Sequence, residues 1–117
     1  MSDVADYLAT VEEPYRSALA RVYAVAAEVV PEAVEGTSYA MAALVYRGKG
    51  LIASVQAKKF LSLYPYSGTV LARLAADLSD FETTSGSLHF SVEHPVPDDL
   101  LRRIVELRRA EIDAKAR

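Results

Sequence analysis

The chain has 117 residues, 51% hydrophobic and 25% charged, a balance that excludes a disordered chain and fits one domain with its own core. Its net charge of −3 argues against a general nucleic-acid binder, and the absence of cysteine excludes disulfides, thiolate nucleophiles and thiolate metal sites. No apolar run approaches the roughly 20 residues that span a bilayer. Residues 1–6 lack the basic start and apolar centre of a signal peptide, so the expected location is cytoplasmic, with no membrane or nucleic-acid partner.

Ser2 or Asp3 is placed to cap a short helix running to about Thr10, with Val4, Tyr7 and Leu8 on its apolar side. A longer helix is expected from about Glu13 to Val30. Pro14 suits its first turn, where the missing amide hydrogen would be unpaired anyway, and Pro31 ends it. Tyr15, Leu19, Val22, Ala26 and Val29 recur at steps of four and three and form its buried stripe. Between Tyr39 and Tyr66 the period changes. Three apolar runs, from Tyr39 to Tyr46, Leu51 to Ala57 and Phe60 to Tyr64, are separated by Arg47-Gly48-Lys49-Gly50 and by Lys58-Lys59. Such runs predict an antiparallel meander. A third helix is expected from about Gly68 to Leu78, capped by Ser67 and anchored by Val70, Leu71, Leu74 and Leu78. Residues 81–87 read as polar and turn-rich, and Leu88, Phe90 and Val92 alternate as a final strand. The last helix opens on Pro97-Asp98-Asp99 and closes among Arg108, Arg109, Lys115 and Arg117, acid and base each at the end that the helix dipole favours. The expected fold is α+β: a two-layer sandwich, an antiparallel sheet of about four to five strands with helices mainly on one face, ordered α-α-β-β-β-α-β-α.

Register decides which side chains share a face. Lysine tolerates positive φ poorly, so a three-residue connection at Ala57-Lys58-Lys59 is preferred to a two-residue turn. It pairs Val55 with Leu61 and Ser54 with Ser62. Leu51, Ala53, Val55, Leu61 and Leu63 then face the helices, and Ile52, Ser54, Gln56, Phe60, Ser62 and Tyr64 form a mixed polar and aromatic open face. Four of the seven tyrosines, Tyr39, Tyr46, Tyr64 and Tyr66, gather around the sheet beside Met41. Aromatic walls with a few hydroxyls suit a small apolar or planar ligand, and equally suit core edges with wet hydroxyls. Tyr15 and Tyr23 are assigned to helix packing. The candidate binding residues are Tyr39, Met41, Ser54, Gln56, Ser62, Tyr64 and His89, for an unidentified small molecule, a protein partner or a second copy in a homodimer.

No catalytic residues are expected. There is no Ser/His/acid trio with supporting context, no glycine-rich phosphate loop and no His-Glu pair at helical spacing, and Arg47-Gly48-Lys49-Gly50 reads as a hairpin turn. His89 and His94, with Glu93 between them, could converge at a strand end, but no third metal ligand is evident and no cofactor is expected.

Four motifs occur in order: Thr37-Ser38-Tyr39-Ala40-Met41, Ser62-Leu63-Tyr64-Pro65, Ser85-Gly86-Ser87-Leu88-His89-Phe90 and Pro95-Val96-Pro97-Asp98-Asp99-Leu100. With Ile104, Val105 and Arg108 they resemble the bacterial YdhG-like family over the stretch from about Tyr7 to Arg108, so the chain reads as a single YdhG-like α+β domain over residues 1–117. It departs from the family pattern in four places. Ala40 and Ala42 stand at the Gly and Pro of the usual Ser-Tyr-Gly-Met-Pro, Ser85-Gly86 stands where a Lys-Gly pair is usual, and Phe60 stands where a histidine is frequent near the start of the fourth strand. The resemblance implies an antiparallel sheet with helices on one side. It also implies an alternative function, since part of the family is described as frataxin-like iron chaperones. In that reading iron, the only cofactor considered, would be held by Asp3, Asp6, Glu12 and Glu13, with Glu28, Glu32 and Glu35 as further carboxylates.

Overall fold

Helical and strand-like stretches of the chain become separate layers. In the computed structural model, which describes residues 3–116, the order is α1 (Asp3–Leu8), α2 (Tyr15–Val29), β1 (Val34–Ser38), β2 (Met41–Tyr46), β3 (Lys49–Gln56), β4 (Leu61–Tyr64), α3 (Gly68–Arg73), β5 (Glu82–Thr83), β6 (Leu88–Phe90) and α4 (Asp98–Lys115). The strands form one antiparallel sheet ordered β1-β2-β3-β4-β6-β5. Helices α2 and α4 pack together over β3, α1 covers β1 and β2, and α3 joins α4. The α+β class and the expected succession of elements hold. The six strands include two at the edges, β1 and β5, that the sequence does not announce: β1 reads Val-Glu-Gly-Thr-Ser and β5 is two residues long. Each forms by pairing with an apolar neighbour rather than by its own propensity. Among the described residues, no helix is long and apolar enough to cross a membrane.

The core lies between sheet and helices. Leu19, Val22, Tyr23, Val25 and Ala26 of α2 and Leu100, Leu101, Ile104, Val105 and Ile112 of α4 are buried, and they belong to one cluster with Leu44, Ile52, Leu61, Leu63, Leu88 and Phe90 of the sheet. Full burial of each such side chain stabilises by about 1.5–3 kcal/mol. Tyr15 departs from the expected stripe: it opens α2 and remains 41% exposed, while Tyr23 takes the central position. Ser67 caps α3 by accepting the Val70 amide at 3.2 Å. Regular helix ends at Arg73 rather than Leu78, yet Leu74 and Leu78 stay buried through the turns that follow. For α1, Ser2 lies outside the described residues. Glu35 of β1 supplies a cap from across the fold, its Oε1 accepting the amides of Val4 at 2.9 Å and Ala5 at 3.2 Å.

Two expectations about the sheet are corrected. Tyr39 and Ala40 are not strand residues. Both hold positive φ, 51° and 62°, as the two-residue turn that folds β2 back on β1. Arg47 and Gly48, at 52° and 79°, make the equivalent turn between β2 and β3, as read from the sequence. The register of β3 on β4 is shifted by one: Gln56 pairs with Leu61, Val55 with Ser62, Ser54 with Leu63 and Ala53 with Tyr64. Four residues, not three, make the connection, closed by the Ala57 amide donating to the Phe60 carbonyl at 2.9 Å. Ser54 and Gln56 therefore leave the open face for the helix side, and Ala53 and Val55 move the other way. This register sets Ser54 beside Leu63 and Gln56 beside Leu61, while Leu61 and Leu63 stay buried with Ile52, Leu88 and Phe90. A bulge opposite Leu44 and Val45 lets both Leu51 and Ile52 be fully buried.

Candidate functional site

The open face of the sheet is built from small side chains at its centre and tyrosines at one end. Ala43 and Ala53 lie in the row that ends at Tyr64, and Val55, Ser62, His89 and Glu82 form the next row. Ala43, Ala53 and Ser62 are fully buried. At the tyrosine end a cavity of about 390 Å³ opens between the β1–β2 turn, the end of β4, the start of α3 and the turn before β6. Tyr39, Met41, Tyr64, Tyr66, Ser67, Gly68 and Gly86 line it, with no charged side chain among them.

Its walls are fixed by local constraints. The Tyr39 and Tyr66 rings stack with centroids 5.8 Å apart and planes 22° from parallel. Tyr66 has left-handed backbone (φ 58°) and donates its hydroxyl to the Ser38 carbonyl at 2.9 Å. Burial raises its phenol pKa. A side chain at Gly50 would stand 2.8 Å from the Tyr66 ring, and one at Gly68 would stand 2.6 Å from the Ser85 carbonyl, so both glycines are needed for these close approaches. Tyr39 remains 84% exposed at the rim.

Of the residues expected to form a binding face, the fold brings together Tyr39, Met41 and Tyr64. Ser62 and His89 share that side of the sheet but are drawn into its own packing. Phe60 stacks on the His89 ring at 3.8 Å. Ser62 is fully buried and its Oγ has no hydrogen-bond partner among the described residues. Ser54 is fully buried on the helix side, its Oγ likewise without a partner among them. Gln56 lines a separate cavity of about 220 Å³ with Tyr15, Lys58, Lys59, Phe60 and Glu93. Tyr66, Ser67, Gly68 and Gly86 are the lining residues absent from the expected set. The tyrosine cluster pointed to the first of these, whereas the others are brought in by α3 packing beside the turn before β6.

The fold also assembles a hydroxyl chain that spacing alone concealed. The Thr84 Oγ1 accepts the amides of Gly86 at 3.3 Å and Ser87 at 3.0 Å, so its hydrogen goes to Ser87 Oγ, 2.7 Å away. Ser87 Oγ lies within hydrogen-bond reach of His89 Nε2 at 3.3 Å, and His89 Nδ1 is bonded to Glu82 Oε1 at 2.8 Å. Glu82 reaches His89 only because β5 pairs with β6. With Ser87 only 5% exposed, this chain ties the edge strand and its turn to the sheet. His94 is elsewhere, stacked on Phe81 at 4.4 Å.

The carboxylates proposed for iron do not converge. Asp3 and Asp6 are exposed on α1, and Glu12 and Glu13 are exposed in the segment before α2. Glu13 accepts the Ser17 hydroxyl at 2.8 Å and its amide at 3.0 Å, and these bonds hold its pKa below the ordinary carboxylate value. Glu28 pairs with Arg102, Glu32 with Arg109 at 2.7 Å, and Glu35 caps α1. Among the described residues, no three His, Asp or Glu side chains are grouped to hold a metal ion.

No family model matches the chain, and no curated protein matches it. A solved structure does: the crystal structure of a DUF1801-family protein, YdhG, from Bacillus subtilis superimposes with a TM-score of 0.80 at 19% identity, covering 92% of this chain and 88% of that one. The four motifs and the superposition agree, and the chain carries the YdhG-like fold in a divergent sequence.

Proposed function

We propose that the protein is a non-catalytic binding module that takes a small, planar, uncharged ligand in the tyrosine-walled cavity at the end of its open sheet face. The observation that carries this reading is the convergence of Tyr39, Met41, Tyr64 and Tyr66 on a concavity of about 390 Å³ without a charged lining residue. That volume lies in the range of small-molecule sites, and aromatic walls with few polar groups suit a flat ring. Ring stacking adds about 0.5–1.5 kcal/mol per pair beyond area burial. Ser67, Gly68 and Gly86 add polar backbone to a lining otherwise made of aromatic and thioether side chains, and the flexible Met41 side chain suits a range of ligand shapes.

The test is a panel of neutral planar fragments (indole, quinoline, naphthol) titrated into isotope-labelled protein and followed by amide shifts. Saturable shifts confined to Met41, Tyr64, Tyr66, Gly68 and Gly86 are expected, weakened at least tenfold (about 1.4 kcal/mol) by Tyr64→Ala. Shifts confined to another face, no shifts from any fragment, or unchanged affinity in the variant would each overturn the proposal.

A further inference from the structure

A third concavity lies between the β2–β3 turn and the last turn of α4. It has a volume of about 150 Å³ and is lined by Arg47, Lys49, Arg108, Ile112, Lys115 and Ala116. Four of these six are cationic and none is acidic, in a chain whose net charge is −3, so the cluster does not follow from composition.

The four cations are not equivalent. Arg47 pairs with Asp113 at 3.0 Å, and Arg108 lies 3.5 Å from Glu111. Arg108 is also pinned: its Nε donates to the Gly50 carbonyl at 2.9 Å, and its side chain is only 12% exposed. A fixed guanidinium of this kind is a preorganised donor for a tetrahedral oxyanion. Among the described residues, no carboxylate pairs with Lys49 or Lys115. Lys115 offsets the negative end of the α4 dipole, but that role requires neither Lys49 nor a recess shared with it. Converging like charges repel one another, and an anion between them relieves the repulsion.

We infer that this recess is an oxyanion site that takes the phosphate of a small free molecule, with Arg108 as the fixed donor and Lys49 and Lys115 as closing cations. Two positive charges without a carboxylate among the described residues match a phosphate that is largely dianionic near neutral pH. The recess is smaller than a drug-sized site, so it accommodates the charged group and leaves the rest of the molecule outside. The exposed large apolar side chains Tyr15, Val34 and Tyr39 do not border it, which favours a free ligand over a lipid surface.

The experiment titrates inorganic phosphate and phenyl phosphate into labelled full-length protein at neutral pH, against sodium chloride at matched ionic strength. Saturable shifts at Gly50, Ile112 and Lys115 are expected with both phosphates and not with chloride. The Lys49→Ala/Lys115→Ala double variant, which changes only exposed side chains, should bind at least tenfold more weakly. Equal responses to chloride and phosphate would overturn the assignment, as would phosphate shifts on another surface or unchanged affinity in the double variant. Phosphatidylglycerol vesicles form a further arm. Binding to vesicles without binding to free phosphates would replace the small-molecule site with a membrane contact.

Discussion

Ala40 holds a backbone that favours glycine. At φ 62° its Cβ crowds the neighbouring carbonyl, which costs an L-residue about 1–2 kcal/mol, partly offset by the lower chain entropy of alanine. Ala40→Gly should therefore raise stability by about 0.5–1 kcal/mol, read as a higher urea midpoint with unchanged slope. Tyr23 is a second decisive residue. Its hydroxyl lies 2.8 Å from the Ala42 carbonyl and 2.9 Å from the Ser54 carbonyl, to which it donates, and it accepts the Ser54 amide at 2.9 Å. One phenol thus ties α2 to β2 and β3. Tyr23→Phe leaves these buried groups unpaired and should cost about 1–3 kcal/mol. Burial pushes the Tyr23 phenol up to about 12 from its ordinary 10. Because the folded state holds this proton more tightly, its contribution is complete below pH 10 and is lost as pH rises toward 12. Denaturation across that alkaline window should show a shallower loss of stability in the Phe variant than in the parent.

Between elements, carboxylates act as tertiary connectors. Glu35 caps α1 from β1, so Glu35→Ala should loosen the six-residue helix without unfolding the sheet. Exchange of the Val4 and Ala5 amides should accelerate about fivefold, in keeping with about 1 kcal/mol for a lost cap. At the other end, Asp113 of α4 accepts the Tyr46 hydroxyl at 2.7 Å and Arg47 at 3.0 Å. The Tyr46 hydrogen bond first, and Arg47 next, hold its pKa below the ordinary carboxylate value. A lowered folded pKa gives stability that is present above the ordinary carboxylate range and lost as pH falls through the lowered value. Asp113→Asn should accordingly flatten the acid limb of the stability profile. The exposed pairs that join α2 and the turn after it to α4, Arg21 with Asp98, Arg102 with Glu28 and Arg109 with Glu32, are screened by solvent and contribute little each.

Across the whole molecule, Gly50 links the tyrosine cavity to the basic recess. Its missing side chain admits the Tyr66 ring on the open face, and its carbonyl holds Arg108. Gly50→Ala would force the ring aside and cost about 1–3 kcal/mol in overpacking. It should weaken fragment binding at the tyrosine cavity and phosphate binding at the basic recess together, whereas Tyr64→Ala should affect only the first. Calorimetry of both ligands on both variants checks this. The α+β class, the helix faces, the Ser67 cap and the Arg47-Gly48 turn were legible because each rests on local periodicity or local backbone chemistry. The β3–β4 register was not. Both alternations present apolar residues, so nothing local separates them, and in the fold the Tyr23 hydroxyl of α2 meets the Ser54 amide and carbonyl, a contact far along the chain. For the same reason Tyr39, Met41 and Tyr64 were found as a group, while Ser54 and Gln56 were assigned to the wrong side of the sheet.

The sequence by itself determined the layers and their order, because an amphipathic helix and an apolar strand each declare the face they must bury. It also supplied the tyrosines and the basic turn. Only the tertiary structure decided which of these meet. Strand register, the cap that Glu35 gives α1, the contact of β5 with His89 and the approach of Tyr66 to Gly50 all depend on residues distant in sequence. Such contacts are selected by the joint packing of the core, which no single segment encodes.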